Sequence, residues 1–410
     1  MFEYSVGTGP YVQGEWITAD RGTAHAIPDH WFYSNDRVET FHEIQVPEQT
    51  SRVAMLQTGE ADMAIIDVGL IREYTGEGKD LKWINTMLGG FVGISVLFSG
   101  NLWEEVSARD GSPLNPWDSP VYEVDYPWIG NPWGDRTPYT DTDNPEGMSD
   151  MEQARLVRWA MSYAIDRQGI VDAILGGNGT PIYSEYMGPE YPGWIPDRTV
   201  TKADLDAIFT EHGYTNTPEG QTAAALPNEA WPWQIPYDPE KAAELLELAG
   251  YPNGFDVTLN AYRAELGDAS FEAADAITGM WTAVGVNTTQ SREDYSAVIS
   301  QRMRQREQNF PVFKNADVHS NVWPKDFPYP PVDTSLSRPG WGAGFESQVL
   351  AGLHIKIRGE QDKALREQWA QDTVDYMMYW HLYAGGVQVP KGVMAGPRIE
   401  SWSGRQDHYA

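Results

Sequence analysis

Two hydrophobic periods alternate along the chain: short runs of strand character, then stretches whose apolar residues recur every three or four positions. After the turn Gly7-Thr8-Gly9-Pro10, Tyr11 to Ile17 reads as a strand. In EQTSRVAMLQTGEADMAIID, Arg52 to Thr58 reads as a short helix with Val53, Met55 and Leu56 available for burial. Gly59 stands just past its end, where the backbone must take a positive φ, and Met63 to Ile66 reads as a buried strand. The strongest helix signal follows Ser149 and Glu152, an S-x-x-E capping box, with Leu156, Trp159, Ala160, Tyr163 and Ala164 at helical spacing. Asp166 can cap a second short helix that stops at Gly176-Gly177.

Farther on, Asp238 is a cap and Pro239 the first helical residue, where its missing N–H costs nothing. Ala242, Leu245, Leu246 and Ala249 form the buried stripe, and Gly250 ends the helix. Phe255, Val257 and Leu259 alternate as a strand. The spacing then predicts a helix over about 269–283, a strand near 286–290, a helix over 295–304, a long helix over Asp362 to Tyr379, and a strand with turns over 387–398. No fixed-period repeat interrupts this alternation, which is the pattern of layered α/β structure. One stretch departs from it. From about Asn101 to Asn144, prolines, glycines and aspartates forbid long regular elements. Trp103, Trp117, Trp128 and Trp133 in the same stretch require it to pack down as an ordered insertion.

Composition narrows the function classes. With 59 Asp and Glu against 29 Lys and Arg, the formal net charge of −30 repels phosphate backbones and argues against a nucleic-acid partner. It suits a salty or extracellular setting, where self-repulsion is screened. The absence of cysteine excludes disulfides, thiolate zinc sites and cysteine nucleophiles. No apolar run approaches the roughly 18 residues that would span a bilayer, and no signal segment is visible at the N-terminus. At 410 residues there is material for two or three compact units.

Catalytic signatures are scarce. There is no G-x-S-x-G elbow, P-loop or dinucleotide fingerprint, and Gly7-Thr8-Gly9-Pro10 lacks the third glycine and the lysine of a phosphate loop. The eight histidines fall in no metal-ligating spacing, and His319 near Asp326 is the one pair of note.

Five pieces, GTGPY, RVAMLQTGEADMA, RWAMSYAIDRQGIVDAILGG, YDPEKAAELLELAGYPNGF and VNTTQSREDYSAVISQRM, occur in the order found in the family 5 extracellular solute-binding proteins. Together with the VPKGVMAGPRIESW tail, the chain resembles that family over nearly its whole length, the insertion excepted. The resemblance implies an α/β, two-lobed, type II periplasmic-binding-protein-like fold. It places a partial first lobe in residues 1–95 with a C-terminal return over 388–410, and the second lobe in 96–387. In the family the GTGPY turn follows a large N-terminal portion, so the resemblance also implies an incomplete first lobe, exposed apolar surface and weak solute binding.

It further implies the solute-binding component of an ABC-type importer, which captures peptides between two lobes for a membrane permease, as a monomer without cofactor, metal or catalytic residue. Placement would be periplasmic or extracellular, membrane-tethered in a full-length form. HSNVWPKDFPYPP, residues 319–331, resembles the family's W-x-x-D-Y-P-D-P pattern. By that resemblance Asp326 pairs with a peptide's α-ammonium, a charge-assisted bond suited to a partly desolvated cleft. Trp323, Phe327 and Tyr329 would supply aromatic wall. Phe327 replaces the usual tyrosine, and Tyr329 stands where an acid is usual. Tyr183, Tyr186 and Trp341 are further candidates for the cleft.

Seventeen tryptophans keep an oligosaccharide receptor open, with Trp194, Trp231 and Trp233 in loops where sugar rings could stack or where the indoles could simply pack. A glycoside hydrolase using the aromatic loops is the rival from another class, and a truncated, inactive remnant is the third.

Overall fold

The computed structural model describes residues 8–31, 38–85, 90–98, 100–106, 111–123, 126–137, 144–183, 194–262, 269–293, 315–324, 345–390 and 392–400. They fall into two compact units, one drawn from Met1–Ile66, Tyr74–Trp83 and Val393–Ser401, the other from Asp67–Glu73, Ile84–Gly392 and Trp402–Ala410. The strands in chain order are β1 (Tyr11–Ile17), β2 (Arg21–Ala26), β3 (Thr40–Ile44), β4 (Met63–Ala64), β5 (Lys82–Asn85), β6 (Gly90–Phe98), β7 (Asn101–Leu102) and β8 (Thr180–Pro181). They continue as β9 (Thr199–Thr201), β10 (Ala230–Pro232), β11 (Asp256–Tyr262), β12 (Asn287–Glu293), β13 (Asn315–Pro324), β14 (Phe345–Glu346), β15 (Tyr383–Pro390) and β16 (Gly392–Ala395). The helices are α1 (Gln49–Thr58), α2 (Ile71–Tyr74), α3 (Asp150–Tyr163), α4 (Arg167–Ala173) and α5 (Lys202–His212). After them come α6 (Pro218–Ala225), α7 (Pro239–Leu248), α8 (Ala269–Ala283), α9 (Gln348–Gly359) and α10 (Lys363–Trp380).

In the first unit β1, β2 and β3 form an antiparallel meander, with Val12 opposite His25 and Ala24 opposite Phe41. α1 buries Val53 and Leu56 and ends at Gly59, whose φ of 74° and N–H to Leu56 O close the last turn. The strand expected over 63–66 is shorter than its apolar run. Only Met63 and Ala64 pair, with Ala395 and Met394 of β16. The Ile65 carbonyl instead accepts from Arg52 Nε at 2.9 Å, and the Ile65 side chain is 70% exposed. A side-chain donor has taken over the ladder's acceptor, so the chain turns away there.

The second unit is organised on a six-stranded sheet in the order β12-β11-β13-β6-β15-β8. β11 runs parallel to β12 and β13, and the β13–β6, β6–β15 and β15–β8 pairs are antiparallel. Parallel neighbours need a crossover, and α8 supplies it between β11 and β12. β12 runs to Glu293, three residues past the expected strand, and α8 matches its expected span. The helix expected over 295–304 lies outside the described residues.

α3 is buried on nearly every side, from Met151 to Tyr163. Its Ser149 hydroxyl accepts from Glu152 N, as the capping box requires. Trp159 lies fully buried, stacked on Trp231 at 4.5 Å and on His381 at 4.2 Å. The insertion packs as its tryptophans demand. Trp103 Nε1 donates to Gly130 O at 2.9 Å and Trp133 Nε1 to Leu102 O at 2.8 Å, which anchors three-residue helical turns in place of longer elements.

Two core tyrosines give this unit a measurable alkaline limit. Burial pushes the Tyr163 and Tyr379 phenols up to about 12. A phenol raised above its unfolded value near 10 binds its proton more tightly when folded. Its contribution is therefore fully present below pH 10 and is lost as pH rises from 10 toward about 12. Urea midpoints should fall across that window, and Tyr379→Phe should flatten the fall. An unchanged pH profile in the phenylalanine variant counts against this assignment.

Candidate functional site

Of the peptide-site residues that the resemblance implies, Tyr183 is the one whose side chain is described. Trp323 lies in β13, its backbone opposite Phe91 of β6. Asp326, Phe327, Tyr329, Tyr186 and Trp341 lie outside the described residues.

Tyr183 stands at the wall of a cleft of about 570 Å³ in the second unit. The cleft is held open by elements that the sequence caps firmly. Asp166 is the N-cap of α4 and accepts from Gly169 N at 2.8 Å. The next residue, Arg167, turns inward. Its Nε donates to Ile182 O and Gly385 O at 3.0 and 2.7 Å, and its Nη2 to Ser162 Oγ at 2.7 Å. This buried cation sits 5.4 Å from the centre of the Tyr183 ring. Burial lowers the Arg167 guanidinium to about 10, which leaves it charged at neutral pH. Burial also raises the Tyr183 phenol, against the pull of Arg167 and of a hydrogen bond with Gln234.

The aromatic wall continues outward from Tyr183, which stacks on Trp194 at 5.6 Å, and Trp194 leans on Trp233 at 5.3 Å. Arg198 lies 5.5 Å over the Trp233 ring and binds Asp375 through both Nε and Nη2, while Trp233 Nε1 donates to the same carboxylate at 3.0 Å. Burial raises the Asp375 carboxyl, opposed by three N–H donors, two from the Arg198 guanidinium and one from the Trp233 indole. Asp197, at the cleft, holds a left-handed φ of 61°. Asp166, Asp197, Gln168, Gln234 and Tyr237 give the cleft hydrogen-bonding groups around an aromatic and prolyl surface. That suits binding, with orientation by a few polar groups.

Trp231 and Trp233, read as possible sugar platforms, belong to the core at 5% and 0% exposure. The Asp375 cluster escaped the sequence reading, though an aspartate inside the apolar run Val374 to Trp380 was its signal. A second cleft of about 540 Å³, between Tyr126 of the insertion and the starts of β11 and β12, has Thr258, Thr282, Thr288 and Thr289 in its lining.

One group among the described residues brings metal-ligand types together: Glu211, His212 and Asp372. Its hydrogen bonds oppose an ion. The Lys356 ammonium lies 3.2 Å from His212 Nδ1 and donates to it. That fixes the proton on Nε2, which points at Asp372 Oδ2 at 3.0 Å. Neither ring nitrogen keeps a free lone pair. The cluster instead ties the end of α5 to α9 and α10.

The model of the bacterial extracellular solute-binding proteins, family 5 Middle, matches residues 2–337. The glutathione-binding protein GsiB of Escherichia coli K12 is 26% identical over 256 residues, which is 62% of this chain and 33% of that protein. The chain thus spans about a third of the length of the curated relatives that it matches. Two solved structures share the fold. The periplasmic binding protein DppA of Helicobacter pylori, in complex with the peptide STSA, gives a TM-score of 0.59 at 16% identity, covering 96% of this chain and 60% of that one. The oligopeptide-binding protein AppA of Bacillus subtilis, in complex with a nonapeptide, gives 0.61 at 15% identity, covering 98% and 65%.

Proposed function

The chain belongs to family 5 of the bacterial extracellular solute-binding proteins, and on that premise we propose that it is the peptide-capturing receptor of an ABC-type importer. The observation that carries this reading is the family match over residues 2–337, joined to a fold shared with receptors solved around a tetrapeptide and a nonapeptide. The receptor captures solute and does no chemistry on it. Ligand acts by binding one conformation better than another, and that form is presented to a membrane permease. The protein works outside the cytoplasmic membrane, tethered to it, as a monomer.

In this reading the Asp326 carboxylate receives the peptide's α-ammonium, and Trp323, Phe327, Tyr329 and Trp341 form its surround. Tyr183 and Tyr186 extend the wall, in keeping with the aromatic cleft around Tyr183. The residue division near 95 and 388 is proposed as the lobe boundary.

Thermal unfolding with added ligand tests the reading. A peptide at a hundred times its Kd should stabilise the protein by about 2.7 kcal/mol. Glutathione, a tetrapeptide and a nonapeptide form the panel, beside cello- and xylo-oligosaccharides. Asp326→Ala should abolish the peptide shift without changing the melting temperature of the free protein. A flat response to every peptide sinks the assignment, and stabilisation by the oligosaccharides alone replaces it with a sugar receptor. Turnover of a glycoside would overturn the receptor class itself.

A further inference from the structure

The second cleft, at one end of the main sheet, is built from hydrogen-bond acceptors. Gly254 and Gly285, with φ of 68° and 95°, turn the chain into β11 and β12. The two parallel strands start in register, with Asp256 beside Asn287 and Thr258 beside Thr289. These residues, the end of α8 at Thr282 and the Tyr126–Trp128 turn of the insertion enclose the space of about 540 Å³. Its donors are largely engaged within the protein. Asn287 Nδ2 donates to Asp256 Oδ1 at 3.1 Å, the Thr282 hydroxyl to Thr278 O at 2.8 Å, and the Thr288 hydroxyl to Val286 O at 3.0 Å. Asp256 Oδ2, Asn287 Oδ1 and the threonine lone pairs are left to accept. The Thr258 and Thr289 hydroxyls, without a partner among the described residues, can accept as well. The described lining contains no lysine, arginine or histidine. The last turn of α8, the negative end of a helix dipole, adds to the same sign. Tyr126 and Trp128, tilted with ring centres 5.5 Å apart, close the remaining side, and Trp128 Nε1 is buried out of reach.

We propose that this cleft binds a small organic ammonium compound, such as a diamine, at a site separate from the proposed peptide site. An alkylammonium matches each feature of the lining. All of its N–H groups donate, and its charge meets Asp256 in a charge-assisted bond. Its carbon chain lies against aromatic rings that also attract cations. A divalent metal ion fits less well, because Asp256 is the one carboxylate in the described lining and the volume is that of a small-molecule site. Position separates the cleft from the Asp326 motif. Thr258 pairs with Asn315, the first residue of β13, whereas Trp323 stands eight residues farther along that strand, roughly 26 Å at 3.3 Å per residue. Tyr183 follows β8, which lies at the opposite edge of the six-stranded sheet from β12.

Calorimetric titration with 1,4-diaminobutane tests the assignment, in about 0.15 M salt, where attraction to the acidic surface is screened beyond about 8 Å. One molecule should bind per chain. Asp256→Asn removes the charge at constant shape and should weaken binding by about tenfold or more. Thr289→Val, the loss of one hydroxyl on the edge strand, should weaken it by about threefold. Asp326→Ala should leave diamine binding intact, and Asp256→Asn should leave the peptide-induced thermal shift intact, so either site can fail alone. Four results overturn the proposal. The first is the absence of saturable binding. The second is binding unchanged by Asp256→Asn, which would mean diffuse attraction to a net charge of −30. The third is binding lost in Asp326→Ala, and the fourth is complete displacement of the diamine by an equal concentration of calcium.

Discussion

Replacing Arg158 with methionine should destabilise the second unit by about 1–3 kcal/mol. Arg158 is fully buried on α3 and, among the described residues, pairs with no carboxylate. Its Nε and Nη2 both donate to Trp380 O, at 3.0 and 2.8 Å, and its Nη1 donates to Trp128 O at 2.8 Å and Asn101 Oδ1 at 3.2 Å. One side chain thus joins the end of α10, the insertion and α3. Burial lowers its guanidinium to about 9, helped by the neighbouring Arg155 charge, yet at neutral pH it remains a cation. Methionine fills similar volume but strands the Trp380 carbonyl, at a cost of about 1–3 kcal/mol, while Trp128 O and Asn101 Oδ1 lose one donor each and keep Asn101 Nδ2 and Gly130 N. That loss exceeds what is gained by removing one buried charge whose hydrogen bonds are well made. The urea midpoint of the second unit reads the effect, and Arg158→Lys should fail nearly as badly because one ammonium cannot span both carbonyls. A methionine variant no less stable than wild type would mean that desolvation of the charge dominates.

Arg158 also shows where the sequence stops being legible. The caps were readable because their chemistry is local: Ser149, Asp166 and Asp238 each accept the backbone N–H that their spacing promised. The packed insertion was readable because four tryptophans among prolines admit no solvated alternative. Burial of Arg155, Arg158 and Arg167 was not readable, since arginine reads as surface until tertiary partners are known. Those partners lie far along the chain, as with Arg158 and Trp380 or Arg167 and Gly385. β6 was obscured for another reason. Gly90 to Phe98 is an apolar run broken only by Ser95 and without alternation, which periodicity cannot separate from a buried helix. β13 pairs with both β6 and β11, yet Asn315 to Pro324 is too polar to announce a central strand. Periodicity accordingly offers no element for HSNVWPKDFPYPP, whereas Trp323 lies on a strand of the main sheet.

Gly254→Ala should leave the second unit without cooperative unfolding, whereas Gly285→Ala should lower its melting temperature by only a few degrees. Both glycines hold positive φ, 68° and 95°, and both stand two residues before paired strand starts, Asp256 of β11 and Asn287 of β12. A left-handed φ costs a residue with a Cβ about 1–2 kcal/mol at either position. The surroundings then separate them. A Cβ on Gly285 would approach nothing nearer than 3.8 Å, but one on Gly254 would lie 1.8 Å from the Gly285 carbonyl oxygen. The obstacle is backbone, so no rotamer relieves it. The two strand starts would have to separate by more than an ångström, breaking the rung from Asn287 N to Phe255 O at 2.8 Å. Overpacking of this kind adds about 1–3 kcal/mol or more to the strain. Circular dichroism in urea distinguishes the two variants, and equal losses would show that φ alone sets the cost. The consequence reaches the proposed site, because β11 is the parallel neighbour of β13, the strand that carries Trp323 and leads toward Asp326. Gly285→Ala should accordingly keep the peptide-induced thermal shift, and Gly254→Ala should lose it together with the register of the sheet.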